Sequence, residues 1–371
     1  MKKVRYSYLP QQFSNPDEIF DELRRFLKTG AFTLGPEVGQ FEKSFAALIG
    51  TKHAIGVGSG TDALKLPLKA LSIGHGDEVI TAANTFIATA GAINEIGARP
   101  VFVDVTPYYT LDPSKLEAAI TKKTKAIMPV HLTGEPADMQ PIIEIARKHG
   151  LPIVEDACQS ISAVVDGKNV GTIGIAAGFS LHPLKNLNVW GDAGVVVTND
   201  EEMNKKLRLL RNHGMKNRDE IEVFGYNSRL DSVQAIVGNW IIKQTHQITD
   251  TRIHNAAVYD AGLTKLEGKV RLAPRRSNAR RVYHLYIFEV AAIHRDPLVK
   301  FLVSNGVDAK VHYPIPLFLQ EGLHHLGYKP GDFPETERQA REIVTLPVDQ
   351  HLTRNELEYC LEMVEKYFKS T

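Results

Sequence analysis

The chain of 371 residues is 43% hydrophobic and 23% charged, and its 44 Lys and Arg against 43 Asp and Glu leave a formal charge of +1. That length and balance describe a folded protein of one large domain or two to three ordinary ones, and exclude a mainly disordered chain. The near-zero charge removes the electrostatic case for nucleic acid or an anionic membrane, no apolar run approaches the ~18 residues of a membrane span, and two cysteines, Cys158 and Cys360, are too few for a disulfide framework.

Along the chain, the basic start is followed by no apolar stretch, so a secretory leader is not expected and the protein reads as cytoplasmic. Residues 53–58 read as a strand and 61–71 as a helix with Leu64, Leu68 and Leu71 on its apolar side. Strand 78–81 precedes a helix over 86–96. Strands follow at 99–104, 125–130 and 152–155, separated by helical patterns at 112–120 and 139–149, the latter closed by Gly150. Strands alternating with helices require crossover connections, hence a mostly parallel sheet covered on both faces. Runs 177–181 and 194–198 leave no room for a helix between them and predict an antiparallel pair in a mixed sheet.

A helix over 201–212, a polar Gly-punctuated stretch at 213–229 and helical patterns at 231–245 and 248–266 come next. Beyond them 283–290 is strand-like and 295–304 helical, and a closing helix spans 354–369 with Thr353 and Glu356 spaced as a capping box. This change of grammar places a domain boundary near residue 246, giving a large domain over 1–245 and a small one over 246–371. There is no internal repeat and no low-complexity tract.

Four features fall at the ends of these sheet elements, where ligands bind in open α/β sheets. In the turn 56–62, Ser59, Gly60 and Thr61 precede a helix whose unpaired N–H groups and positive dipole end suit a phosphate. Thr61 stands where a dinucleotide fingerprint needs its third glycine, and no Walker lysine follows, so a plain strand-to-helix turn remains the competing reading. Asp156 closes an apolar strand and needs a partner such as a protonated ring nitrogen; a helix cap or salt-bridged turn would serve equally. Lys185 is the only charged residue between Lys168 and Asp192. Desolvation there would favour the free amine that attacks carbonyls, although a snorkelling surface lysine is the alternative. Phe86, after the strand at 78–81, could cover a flat ring or simply pack in the core. Together the four meet the needs of pyridoxal 5′-phosphate (PLP): a phosphate seat, a ring cover, a carboxylate for the pyridine nitrogen and an amine for the aldehyde.

Over nearly its whole length the sequence resembles the fold-type I aminotransferases of the DegT/DnrJ/EryC1/StrS group. The resemblance is carried by the stretches 32–42 and 59–64, by Thr85-Phe86, by Glu155-Asp156-Ala157 with Gln159, and by Phe179-Ser180 with Lys185. It continues through 191–194, 211–214 and 225–230, with Ala193 where many relatives have Gly. It implies an α/β fold with a large seven-stranded-type mixed-sheet domain and a smaller C-terminal α/β domain. It implies that Lys185 forms the internal aldimine (a Schiff base with the cofactor), that Asp156 pairs with the pyridine nitrogen, that Phe86 stacks on the ring and that Gln159 approaches the ring hydroxyl. The turn residue Ser59 with Gly60, Thr61 and Ser180 would hold the phosphate, and Asn227 would reach the neighbouring subunit's phosphate in a homodimer with shared sites. Tyr8, His182, Asn186, Arg229, His312 and Tyr313 fall in the family's substrate-pocket segments, although 312–316 would equally suit a rigid surface turn.

The implied activity is transfer of an amino group, from L-glutamate, to a nucleotide-linked or phosphorylated keto-sugar in amino-sugar biosynthesis. Relatives that dehydrate the sugar replace the lysine with His; here Lys185 is retained, with His182 three residues before it, which favours transamination. Three other readings compete. A nicotinamide-dependent oxidoreductase departs from the fingerprint at Thr61. A non-catalytic regulator would normally carry an appended DNA-binding module, against which the charge and length argue. A metal enzyme built on His213, His312, His324 and His325 lacks any standard ligand spacing, so no metal is expected.

Overall fold

A computed structural model of the protein describes residues 3–370. Met1 and Lys2, part of the basic start, and Thr371, the end of the expected small domain, lie outside them. After a single-turn helix, Leu9–Gln12, two longer helices, α1 (Asp17–Thr29) and α2 (Pro36–Ile49), precede the first strand; each of these two ends on a left-handed glycine, Gly30 or Gly50, and α2 begins with a proline. There follow β1 (His53–Val57), α3 (Gly60–Ala70), β2 (Glu78–Ala82), α4 (Ile87–Glu95), β3 (Arg99–Val103), β4 (Thr124–Met128), α5 (Met139–His149) and β5 (Val154–Asp156). The antiparallel pair β6 (Ala176–Ser180) and β7 (Gly194–Thr198) leads to α6 (Glu201–Leu210), α7 (Ser232–Ile241) and α8 (Thr245–Leu263).

These strands form one sheet in the order β1-β7-β6-β5-β4-β2-β3, the β5–β4 link being made by parallel bridges Ile127–Ile153 and Val130–Asp156. Every neighbouring pair is parallel except the two that involve β7, which runs antiparallel to β1 and β6. The register Ala177–Val197 to Ser180–Gly194 is the antiparallel pair expected from the short spacing. Both faces are covered: Phe179, Val195 and Val197 pack with α2 and α7 residues on one side, while Ala176 and Val196 pack with α3 and α6 residues on the other. Burial on both faces explains why β7 reads as a continuous apolar run rather than an alternating one.

The later part holds a second sheet of β8 (Val270–Leu272), β9 (Tyr286–Val290) and β10 (Ile343–Leu346), antiparallel throughout, with α9 (Ala292–Ser304), α10 (Pro334–Glu342) and α11 (Arg354–Ser370). Its core of Tyr259, Tyr286, Phe288, Val344 and Phe368 also takes in Val4 and Tyr8 from the start of the chain. The capping box at α11 forms as spaced: Thr353 N–H donates to Glu356 Oε2 at 2.8 Å, and Glu356 N–H donates to Thr353 Oγ1 at 3.3 Å.

Several boundaries shift. The 112–120 pattern becomes a short helix, Pro113–Leu116, and a 3-10 turn, Glu117–Ala119. Phe86 is extended (φ −71°, ψ 148°) and precedes α4 rather than joining it. Strand β9 starts three residues late because Tyr283 is left-handed, at φ 49°. No helix among the described residues is long and apolar enough to cross a membrane.

Candidate active site

The C-terminal ends of β1, β2, β5 and β6 lie at one edge of the large sheet, which is where the topology leaves a crevice. A cleft of about 420 Å³ opens there. Ser59 caps α3 by accepting the Asp62 N–H at Oγ, 3.1 Å, and Ser59, Gly60 and Thr61 line the cleft. The helix start sits directly against the sheet because two glycines permit it. A Cβ added to Gly60 would lie 2.6 Å from Ser180 Cβ, and one added to Gly194 would collide with the Ser59 carbonyl oxygen. The α3 N-terminus and the Ser180 side chain therefore stand side by side as an anion seat.

Asp156 ends β5 and is buried behind the cleft lining. Its Oδ2 accepts from Thr89 Oγ1 at 2.7 Å, and its Oδ1 accepts from the Cys158 N–H at 3.1 Å. Thr85 Oγ1 lies 2.7 Å from Thr89 Oγ1, so with the Thr89 hydrogen given to the carboxylate, Thr85 donates to Thr89. Behind this row Glu155, fully buried on the opposite face, accepts the N–H groups of Gly171, Ile173 and Gly174 and faces His131 Nε2 at 3.1 Å. Burial pushes the Glu155 carboxyl up, but His131 and these amides outweigh it and hold it below the usual carboxylate range.

Lys185 lines the cleft on the loop between β6 and β7. Burial lowers its ammonium from the ordinary lysine value; Cys158 and the Asp156 carboxylate oppose that shift. Phe86 is 50% exposed at the cleft wall, 5.9 Å from the Tyr313 ring. A large aromatic left half-bare beside a carboxylate and an amine is what a stacked planar ligand would cover. Gln159 Oε1 is taken by the Thr133 N–H at 2.7 Å, which turns its Nε2 toward the cleft, 3.4 Å from the Tyr313 hydroxyl. Cys158 lines the cleft with its thiol pushed well up by burial, which makes it a poor nucleophile.

Of the expected substrate residues, His182, His312 and Tyr313 line the cleft, while Pro314 and Ile315, which follow, are exposed. Tyr8 does not line it: its hydroxyl donates to Glu356 and its N–H to Asp349, within the C-terminal core. Asn186 is buried, its Nδ2 donating to the Val282 carbonyl at 3.0 Å. Asn227 and Arg229 lie elsewhere, in a groove with Thr33 and Asp231, and Arg229 donates to Asn212 Oδ1. Missing from the sequence reading are Thr89, Tyr6, Asp192, His284 and Lys310, the last four on the cleft lining. Lys310 and His312 face the cleft while Val311 packs against the core, an alternation around the isolated Lys310–Thr345 bridge that could have marked Lys310; nothing local marks Tyr6. Among the described residues no group of three His, Cys, Asp or Glu side chains is placed to hold a metal ion.

Comparison with known proteins gives a consistent picture. The family model described as the DegT/DnrJ/EryC1/StrS aminotransferase family matches residues 14–365. The chain is 42% identical, over 95% of itself and 95% of the relative, to a pleiotropic regulatory protein of Geobacillus stearothermophilus. It is 41% identical, over 93% of itself and 90% of the relative, to dTDP-3-amino-3,4,6-trideoxy-alpha-D-glucose transaminase of Streptomyces venezuelae. The crystal structure of S. venezuelae DesV in complex with a ketimine intermediate superimposes with a TM-score of 0.95 at 38% identity, covering 99% of each chain.

Proposed function

The chain belongs to the DegT/DnrJ/EryC1/StrS aminotransferase family, and from that premise we propose that it uses L-glutamate to aminate a keto-sugar in amino-sugar biosynthesis. Its cofactor is pyridoxal 5′-phosphate. The residues present fit that group: an anion seat at Gly60 and Ser180, a half-bare Phe86 ring, a buried carboxylate at Asp156 and an amine at Lys185. When bound, the cofactor supplies an electron sink conjugated to its aldehyde carbon.

The chain supplies the rest. Ser59, Gly60, Thr61 and Ser180 would bind the phosphate, Phe86 would cover one ring face, and Gln159 would donate from Nε2 to the ring hydroxyl. Asp156, oriented by Thr89 and the Cys158 amide, would hold the proton on the pyridine nitrogen. Lys185 would hold the aldehyde at rest. With its amine free, Lys185 Nζ would take the proton from the donor α-carbon, a task for which burial favours the neutral form. The keto-sugar then reverses the sequence and leaves as the amino sugar, with ping-pong kinetics.

The handle on the sugar is read as a nucleotide diphosphate or phosphate, supported by relatives named as transaminases of dTDP- and UDP-linked sugars. His182, His312 and Tyr313 face the sugar. Asn227 and Arg229 serve the site of a second copy in a cytoplasmic homodimer. What supports this is their place outside the chain's own cleft and the loop around them, which exposes Ile221 and Phe224 at 70% and 97%. The division into a cofactor-binding domain over 1–245 and a small domain over 246–371 is supported by the two larger sheets, built from residues 53–198 and 270–346; a small third sheet, in which Ala279–Arg280 pairs with Val164–Val165, links the two parts.

The observation that carries this reading is Lys185 facing into the same cleft as the anion seat, with Asp156 behind it. The retained lysine also favours amination over sugar dehydration. The test is colour: a yellow protein bleached by L-glutamate supports the reading, and a protein that PLP leaves colourless rejects it. A panel of nucleotide amino sugars run in reverse, with 2-oxoglutarate as acceptor, then identifies the sugar.

A further inference from the structure

The cleft has a second cation that the cofactor does not use. Among the described residues lining it, Lys185 and Lys310 are the lysines, and no arginine is present. Two of the histidines on the lining add no positive charge: burial holds His284 well below the ordinary histidine value and His312 at about 4. Asp192, the carboxylate on the lining, belongs to the β6–β7 loop, whereas Lys310 lies across on the C-terminal wall.

Lys310 is fixed at its backbone and open at its head. Its N–H donates to the Thr345 carbonyl at 3.0 Å and its own carbonyl accepts the Thr345 N–H at 2.8 Å, tying it to β10. The ammonium stands 4.8 Å over the centre of the Tyr6 ring, and that ring lies 5.7 Å from the His312 ring. A ring face positions an ammonium without neutralising it. Asp308, the acidic side chain that pairs with it among the described residues, is 3.6 Å away with both side chains nearly half exposed, and its other oxygen accepts the Tyr6 N–H at 3.3 Å. Such a long, wet pair leaves the cation available.

We propose that Lys310, steadied by Tyr6, is an anion seat at the cleft that takes the phosphate-bearing handle of the keto-sugar. This rests on the aminotransferase reading above and names the group through which the substrate is selected. A compact, hydrated ammonium suits a phosphate approached from solvent, whereas a donor carboxylate is best gripped by a bidentate guanidinium, which this chain's own part of the lining lacks.

The test titrates the holoenzyme with UDP, dTDP and glucose 1-phosphate, and separately follows bleaching by L-glutamate. Lys310→Met should weaken the phosphate-bearing ligand that the wild type binds by about tenfold or more, as expected for loss of one charge-assisted contact. Lys310→Arg should restore most of it, and the bleaching rate should stay within about twofold of wild type. Whether the nucleoside diphosphates or glucose 1-phosphate respond tells a nucleotide handle from a simple phosphate. Unchanged phosphate affinity in Lys310→Met overturns the proposal, as does a wild type that binds none of the three. Lost bleaching with intact phosphate binding also overturns it and assigns Lys310 to the donor carboxylate. An enzyme that L-glutamate never bleaches, yet whose phosphate binding depends on Lys310, keeps the anion seat and sinks the transaminase reading.

Discussion

Thr89 Oγ1 donates a 2.7 Å hydrogen bond to Asp156 Oδ2, and Thr85 stands behind it at the same distance. Two hydroxyls spaced four apart thus back the carboxylate from the start of α4, and with the Cys158 amide they leave it one orientation.

Replacing Thr89 by Val keeps the shape and removes the donor. A hydrogen bond to a charged group contributes about 1.5–3 kcal/mol, so the turnover number of Thr89→Val should fall roughly tenfold or more. The cofactor absorbance should shift as the pyridine nitrogen loses its fixed partner. Thr89→Ser should recover most of both. An unaltered spectrum and rate in Thr89→Val would mean that Asp156 needs no such support.

Glycine at 194 is required by contact rather than by φ, since an added methyl meets the Ser59 carbonyl. Forcing β7 and the α3 turn apart should cost about 1–3 kcal/mol in stability. Because the displaced turn is the anion seat, Gly194→Ala should also weaken PLP binding. Thermal unfolding of the apoprotein and a PLP titration read the two effects separately.

Glu42 on α2 accepts the Gly56 N–H at 2.9 Å and pairs with Arg208 and with the buried Arg211, tying α2 and α6 to β1. Glu42→Gln would leave the Arg211 guanidinium uncompensated in the interior. The expected loss is about 3 kcal/mol in a denaturant melt; a loss under about 1 kcal/mol would show that water reaches the pair.

The depressed Lys185 ammonium sets a pH dependence. Because burial favours the neutral amine, the group gives up its proton below the ordinary lysine value of 10.5. In apoprotein stopped-flow, the rate of PLP capture should rise with pH and level off short of that value. A rate still climbing through it would mean that the amine is solvated.

The parallel core, the antiparallel β6–β7 pair and the α11 capping box were legible because each follows from local periodicity, spacing or caps. So was the ring of Ser59, Gly60, Phe86, Asp156 and Lys185, since strand ends collect at one sheet edge whatever the loop details. Helices α1 and α2 were not read, although Asp17 and Glu18 in one first turn, Pro36 in the other and glycines at both ends signal them. What could not be read is which near neighbour turns inward. Tyr6 faces the cleft while Tyr8, at the entry to a short helix, is drawn toward Glu356, a partner 348 positions away. Asn186 likewise sits beside Lys185 in the chain but is held by the Val282 carbonyl. Those outcomes depend on long-range packing that no window of sequence contains.

The most direct measurement is borohydride reduction of the PLP-loaded protein followed by peptide mapping. A single stable adduct on Lys185, absent from Lys185→Ala, is the predicted result. An adduct on Lys310 or another lysine, or none at all, would contradict the site on which every role assigned here depends.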